Sequence, residues 1–95
     1  MNQNLDDIKE KAIPVMKQAG VIRSSLFGSY ARGENTLKSD IDFLVEFPRG
    51  KSLLDLIGLE MELEKVLGKK VDLVTFKSVH PLIKEYVEND QLSLF

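Results

Sequence analysis

The chain has 95 residues, enough for one domain with a hydrophobic core but too few for a catalytic domain and a separate substrate domain. Its formal net charge is -2 and no Lys/Arg cluster stands out, so we do not expect direct binding to nucleic acid. Without cysteine, a secretory signal or an apolar run of about 18 residues, it is expected to be cytoplasmic and not to bind membranes.

The first half of the chain predicts the element order α-β-α-β. Apolar residues at helical spacing predict a helix over residues 4–19, and Pro14 inside it predicts a kink or a break. A strand is predicted over residues 21–27 and a short helix over residues 29–32. Residues 40–47 predict a second strand with most of both faces covered, so two strands flank the short helix.

The second half of the chain predicts a long helix, a third strand and a last helix. The long helix covers residues 53–67 and ends at Gly68, and the third strand covers residues 71–76. A final helix is predicted from Pro81 to Glu88, because proline is favoured in the first helical turn. The alternating tail over residues 91–95 predicts a short extended piece. The resulting order is α-β-α-β-α-β-α within one domain.

One motif in this order carries chemistry. Gly28 and Ser29 form a turn at the end of the first strand, and Asp40 and Asp42 follow on the second. Successive strand residues point to opposite faces, so these carboxylates share a face, with Cα atoms about 7 Å apart. Two such charges repel unless a cation lies between them, and carboxylates are ligands of Mg²⁺. A turn that can hold phosphate beside a site for Mg²⁺ predicts nucleotidyl transfer.

The motif also predicts the sheet topology. For Ser29 and Asp40 to meet, the first two strands must run antiparallel if they are neighbours. The third strand follows a full helix, which favours a right-handed parallel crossover. Asp72 then lies near the same end as Asp40. We therefore expect an α+β fold with α/β-like features: a small mixed three-stranded sheet, flanked by helices, with three carboxylates at one end.

These residues resemble a known family. The chain resembles the minimal nucleotidyltransferases (MNT) of the polymerase-beta-like superfamily. The resemblance rests on the turn at Gly28-Ser29, on Ala31-Arg32-Gly33, on the Ser39-Asp40-x-Asp42 motif and on Asp72. The chain looks most like the antitoxins of MNT/HEPN toxin–antitoxin modules. The resemblance covers nearly the whole chain, because those proteins have about this size and the same order of elements.

The resemblance implies a site and a reaction. Asp40, Asp42 and Asp72 would be the catalytic residues and would hold Mg²⁺, as a pair of ions, bridging the phosphates of ATP. Asp72 could also help to deprotonate the attacking hydroxyl. The nucleotide-binding residues would be Gly28, Ser29, Arg32 and Ser39. AMP would pass to a tyrosine hydroxyl of a partner HEPN ribonuclease, which would silence this toxin.

Several residues have a simpler structural interpretation as well. Gly28-Ser29 alone is most often a turn and a helix cap, and Ser39-Asp40 could be a turn cap. Arg32 could clamp phosphate or cap the short helix. Asp72 follows Lys69 and Lys70, so it could instead form a surface ion pair.

The function also has alternatives. The chain could be a binding module that neutralises a toxin by contact alone, or it could transfer AMP to a small-molecule hydroxyl. The long helix over residues 53–67 is apolar over more than the roughly 100° stripe that one-sided packing requires. It could be buried between the sheet and other helices, or it could be a surface for a partner or for self-association.

Overall fold

A mixed sheet with helices packed on it forms the fold, and the computed structural model describes residues 5–33, 39–76 and 91–95. The predicted last helix from Pro81 to Glu88 lies outside the described residues. In chain order the elements are α1 (Leu5–Gln18), β1 (Arg23–Phe27), α2 (Ser29–Arg32), β2 (Ile41–Glu46), α3 (Leu53–Leu67), β3 (Val71–Thr75) and β4 (Leu92–Ser93).

The sheet has the strand directions that the sequence predicts and one more strand. Its order is β3-β2-β1-β4, with β1 antiparallel to β2 and β2 parallel to β3. The fourth strand corrects the prediction of a three-stranded sheet. It comes from the alternating tail, which pairs with the outer edge of β1: Leu94 N–H donates to the Ser24 carbonyl at 2.8 Å, and Ser24 N–H donates to the Phe95 carbonyl at 3.1 Å.

The helix α1 continues through Pro14 from Leu5 to Gln18, so the proline does not break it. Pro14 lies on the exposed side, where water can satisfy the carbonyl that loses its backbone hydrogen bond. On the opposite side, Ile8, Ala12 and Met16 are fully buried at a spacing of four residues. Burial of that face outweighs the loss of one hydrogen bond.

The helix α3 has the predicted bounds because both of its ends are capped. Ser52 N–H donates to Asp55 Oδ2 at 2.8 Å, and this hydrogen bond lowers the pKa of the Asp55 carboxyl. At the other end Gly68 has a φ of 68°, and its N–H donates to the Glu64 carbonyl at 2.8 Å. Glycine accepts this left-handed conformation with little strain.

The core lies between the sheet and the layer formed by α1 and α3. The β2 residues Ile41, Phe43 and Val45 are fully buried and belong to one cluster with the buried residues of both helices. Leu44 is also buried, although it points to the other face of the strand. The prediction that β2 is covered on both faces is confirmed at these positions.

Only part of the apolar surface of α3 enters the core. Leu59, Leu63 and Leu67 are buried, whereas Leu53, Leu54, Ile57 and Met61 are exposed. Packing in the core therefore explains the apolar residues on one side of the helix. Self-association through the apolar residues on the other side stays a prediction. None of the helices in the described ranges is long and apolar enough to cross a membrane.

Glutamate side chains of α3 accept hydrogen bonds from the backbone of the edge strand β3. Glu64 Oε2 accepts a hydrogen bond from Val71 N–H at 3.1 Å. Glu60 lies one helical turn earlier and interacts with the backbone of Leu73. Burial raises the pKa of the Glu60 carboxyl above its usual 4.5, and the negative charges of Glu64 and Asp72 raise it further. These carboxylates satisfy polar backbone groups of β3 on both sides of Asp72.

A first prediction concerns the pH dependence of stability. Because the pKa of Glu60 is raised by folding, its ionised form reduces stability above that pKa, and the effect disappears as pH falls through it. Glu60→Gln should raise the melting temperature at neutral pH by only about 2 °C, because solvent screens this group, and the gain should vanish near about pH 4. Thermal melts across pH test this, with exposed Glu62→Gln as the control. An equal gain at both pH values would contradict it.

A second prediction compares two residues of α3. Leu63 is fully buried and Met61 is 64% exposed. Leu63→Ala should lower the free energy of unfolding by about 3 kcal/mol, because it opens a cavity in the core. Met61→Ala should change it by less than about 0.5 kcal/mol. Urea denaturation measures both, and similar losses for the two variants would show that the core has been placed wrongly.

Candidate functional site

The turn after β1 lies against a carboxylate of β2. Phe27, the last residue of β1, pairs with Asp42 in the antiparallel register. Gly28 follows with a φ of 76°. A Cβ atom added to Gly28 would overlap Asp42 Oδ2 and would lie 3.3 Å from Asp42 Cγ. Glycine is therefore required here by its backbone conformation and by the adjacent carboxylate.

A second carboxylate lies beside the first on the neighbouring strand. Asp42 and Asp72 are partners in the parallel register of β2 and β3, and both are partly exposed. Register partners on adjacent strands point to the same face, and their strands are about 4.8 Å apart. The structure thus brings together Gly28, which directly follows β1, Asp42 of β2 and Asp72 of β3.

The third carboxylate lies one residue before β2, because the strand begins one residue later than predicted. Asp40 precedes β2, which begins at Ile41, so it is not the first residue of a strand. Ile41 N–H donates to the Lys70 carbonyl at 3.0 Å, and strand pairing starts there. Within residues 5–33, 39–76 and 91–95, no three Asp, Glu, His or Cys side chains are grouped so that they could hold a metal ion. Metal binding by all three aspartates stays a prediction.

The remaining predicted residues lie around the turn. Ser29 and Arg32 are the first and last residues of α2, but their side chains lie outside the described part of the structure. Ser39 is partly exposed, and its carbonyl accepts a hydrogen bond from Lys69 Nζ at 3.2 Å. The sequence named Lys69 only as one of two neighbours with which Asp72 could form a surface ion pair, because nothing local shows that the chain returns to Ser39.

A groove of about 350 Å³ lies elsewhere, between α1 and α3. The helices cover the face of β2 that carries Phe43, whereas Asp42 and Asp72 point to the other face. The groove is therefore separate from the carboxylate pair. Its lining residues are Val15, Gln18, Ala19, Gly58, Leu59 and Glu62.

The carboxylate pair fits one Mg²⁺ ion bound together with a nucleotide. Mg²⁺ usually takes one or two carboxylates from a protein and completes its coordination with substrate phosphates and water. Asp42 and Asp72 provide two carboxylates on neighbouring strands. The turn at Gly28 has no side chain, so its backbone approaches the Asp42 carboxylate closely, and backbone N–H groups of such turns can bind phosphate.

Comparison with known proteins places this arrangement in a family. The family described as nucleotidyltransferase domain matches residues 9–92, which include the turn and all three aspartates. The chain belongs to this family. It is a nucleotidyltransferase, and the aspartate motif and Gly28 lie within the matched region.

Individual relatives are of the minimal type that the sequence predicted. A candidate protein adenylyltransferase of Methanocaldococcus jannaschii is 54% identical over 91 residues, which are 96% of this chain and 98% of that protein. A solved structure described as a minimal nucleotidyltransferase is 34% identical, with a TM-score of 0.84 and 96% of each chain covered.

A third relative comes from a complex. It is a chain of a toxin–antitoxin crystal structure with AMP-PNP, and its sequence is 26% identical to this chain. The TM-score is 0.81, and the match covers 92% of this chain and 72% of the other. The predicted relationship to minimal nucleotidyltransferases and the mixed α+β fold are confirmed.

A third prediction tests the close approach of Gly28 to Asp42. Gly28→Ala should reduce binding of Mg²⁺-ATP by at least about tenfold, because the new methyl group displaces the Asp42 carboxylate as well as straining the backbone. Gly50→Ala is the matched control, since Gly50 also has a positive φ but a Cβ atom added there would meet no other atom within 4 Å. Calorimetry measures both affinities. Equal losses would show that backbone strain alone explains the effect.

Proposed function

We propose that this nucleotidyltransferase transfers AMP from ATP to a hydroxyl group of a partner protein, a tyrosine of a HEPN-type ribonuclease toxin, and thereby acts as its antitoxin. The observation that supports this most directly is the contact of the Gly28 turn with Asp42, next to Asp72 on the adjacent strand. This arrangement can hold a triphosphate and a divalent cation on the same side of the sheet.

In the proposed reaction one O–P bond forms and another breaks at the α-phosphorus of ATP. The tyrosine oxygen attacks the α-phosphorus of ATP, a new O–P bond forms, and the bond from that phosphorus to the bridging oxygen breaks, which releases pyrophosphate. The hydroxyl proton passes to Asp72, which lies beside Asp42 and is partly exposed. Mg²⁺, when bound to Asp42 and Asp72, would neutralise charge that develops on the phosphate oxygens.

Two comparisons support a protein acceptor. The relative from M. jannaschii is described as a candidate protein adenylyltransferase, and it is matched over 98% of its length at 54% identity. The toxin–antitoxin complex that shares the fold contains AMP-PNP, an ATP analogue. Together they favour ATP as the nucleotide and a toxin as the acceptor, in agreement with the resemblance carried by the sequence motifs.

A fourth prediction tests the activity. The protein is incubated with Mg²⁺-ATP and with a small helical HEPN-family protein, and mass spectrometry counts the AMP groups added to that partner. The wild type should modify the partner. Asp42→Asn and Asp72→Asn should each reduce the rate by at least about a thousandfold, because each removes a negative charge that positions the cation. Exposed Asp6→Asn, in the first turn of α1, is the control and should retain the wild-type rate.

Toxin neutralisation and pyrophosphate release, measured on the same proteins, separate the alternative functions. Neutralisation of the toxin that survives both substitutions, without any added AMP, would overturn the proposal in favour of a non-catalytic binding module. Pyrophosphate release in the presence of small hydroxyl compounds, with no modified protein, would instead indicate a small-molecule acceptor.

A further inference from the structure

Lys69 reaches from the end of α3 to two segments of the candidate site. Its ammonium donates a hydrogen bond to the Ser39 carbonyl at 3.2 Å. The same nitrogen lies 5.6 Å from the centre of the Tyr30 ring, within the range of a cation–π interaction. Tyr30 is buried and directly follows Ser29, whereas Ser39 directly precedes Asp40. One cation therefore contacts both flanks of the predicted site.

The backbone around Lys69 is fixed on both sides. Gly68 N–H is bonded to Glu64 in the cap of α3, and the Lys70 carbonyl accepts the hydrogen bond from Ile41 N–H. Val71 N–H is bonded to the Glu64 carboxylate. These three anchors leave the backbone of Lys69 little freedom, so its side chain starts from a defined point.

The segment that Lys69 contacts is less constrained by the sheet. Ser39 and Asp40 precede β2, and the hydrogen bond from Ile41 N–H to the Lys70 carbonyl holds the backbone only on the C-terminal side of Asp40. Asp42 and Asp72, in contrast, are held by strand pairing. A donor that fixes the Ser39 carbonyl restricts the backbone that leads into Asp40 from the other side.

We propose that Lys69 is a positioning residue of the transfer reaction, which holds the Ser39–Asp40 backbone against Tyr30 and so fixes the backbone from which the Asp40 side chain projects at the start of β2. The proposal rests on the proposed function, since the reaction concerned is nucleotidyl transfer. Lys69 acts through the residues that it contacts, by way of the Ser39 carbonyl and the Tyr30 ring. Displacement of a catalytic group by about 1 Å can reduce a rate about a hundredfold, so loss of this contact has a measurable kinetic effect.

The test compares four forms of the full chain. Lys69→Met removes the charge and the hydrogen-bond donors but keeps about the same side-chain length. Lys69→Arg keeps the charge and the donors. Lys65→Met makes the same chemical change at an exposed position of α3. AMP transfer to the HEPN-family partner gives kcat and the KM for ATP, and hydrogen exchange of the ligand-free protein reports the backbone amides of residues 39–42.

Lys69→Met should lower kcat by at least about tenfold, change the KM for ATP by less than about threefold, and speed amide exchange at residues 39–42. Lys69→Arg should recover most of the rate, and Lys65→Met should match the wild type. If Lys69→Met does not fold, Lys69→Gln takes its place with the same expected loss. A wild-type kcat, an effect confined to KM, or unchanged exchange at residues 39–42 would overturn the proposal.

The two proposals fail in different ways. If the wild type transfers no AMP, the proposed function fails, whereas the amide exchange of Lys69→Met still shows whether Lys69 orders the segment before β2.

Discussion

The candidate site depends on the pairing of β2 with both of its neighbours. Antiparallel pairing with β1 brings the turn at Gly28 against Asp42, and parallel pairing with β3 places Asp72 directly beside Asp42. A shift of β3 by one residue would turn Asp72 to the opposite face, and a shift of β1 would move the turn at Gly28 out of register with Asp42. The burial of Phe43 and Val45 on the helix-covered face therefore also determines which face carries the carboxylates. The same packing supports the fold and the chemistry.

Much of this arrangement could be predicted from local signals in the sequence. The bounds of α3 follow from Ser52 and Asp55 at one end and Gly68 at the other, because caps act over a few residues. The antiparallel direction of β1 and β2 follows from the need to bring Ser29 and Asp40 together, and the parallel direction of β3 follows from the full helix that precedes it. Such requirements are visible in a sequence because a motif or a cap is short, and its geometry is largely independent of the rest of the chain.

Features that depend on distant contacts could not be predicted in the same way. The tail at residues 91–95 alternates in polarity, but only the edge of β1 makes Leu92–Ser93 a strand. Lys69 follows a helix like many surface lysines, and its contact with Ser39 arises across a separation of 30 residues along the chain. The exposed side of α3 is equally ambiguous, because an apolar helix in the sequence does not show which of its residues a neighbour covers.

The central claim is that Asp42, Asp72 and the turn at Gly28 form one nucleotide and metal site. A crystal structure of the protein with AMP-PNP and Mn²⁺ tests it most directly, because the anomalous signal of manganese locates the ion without reference to the protein atoms. The proposed site requires an ion coordinated by both Asp42 and Asp72, with the triphosphate against the backbone of Gly28 and Ser29. An ion and a nucleotide bound elsewhere on the chain, with neither carboxylate as a ligand, would contradict it.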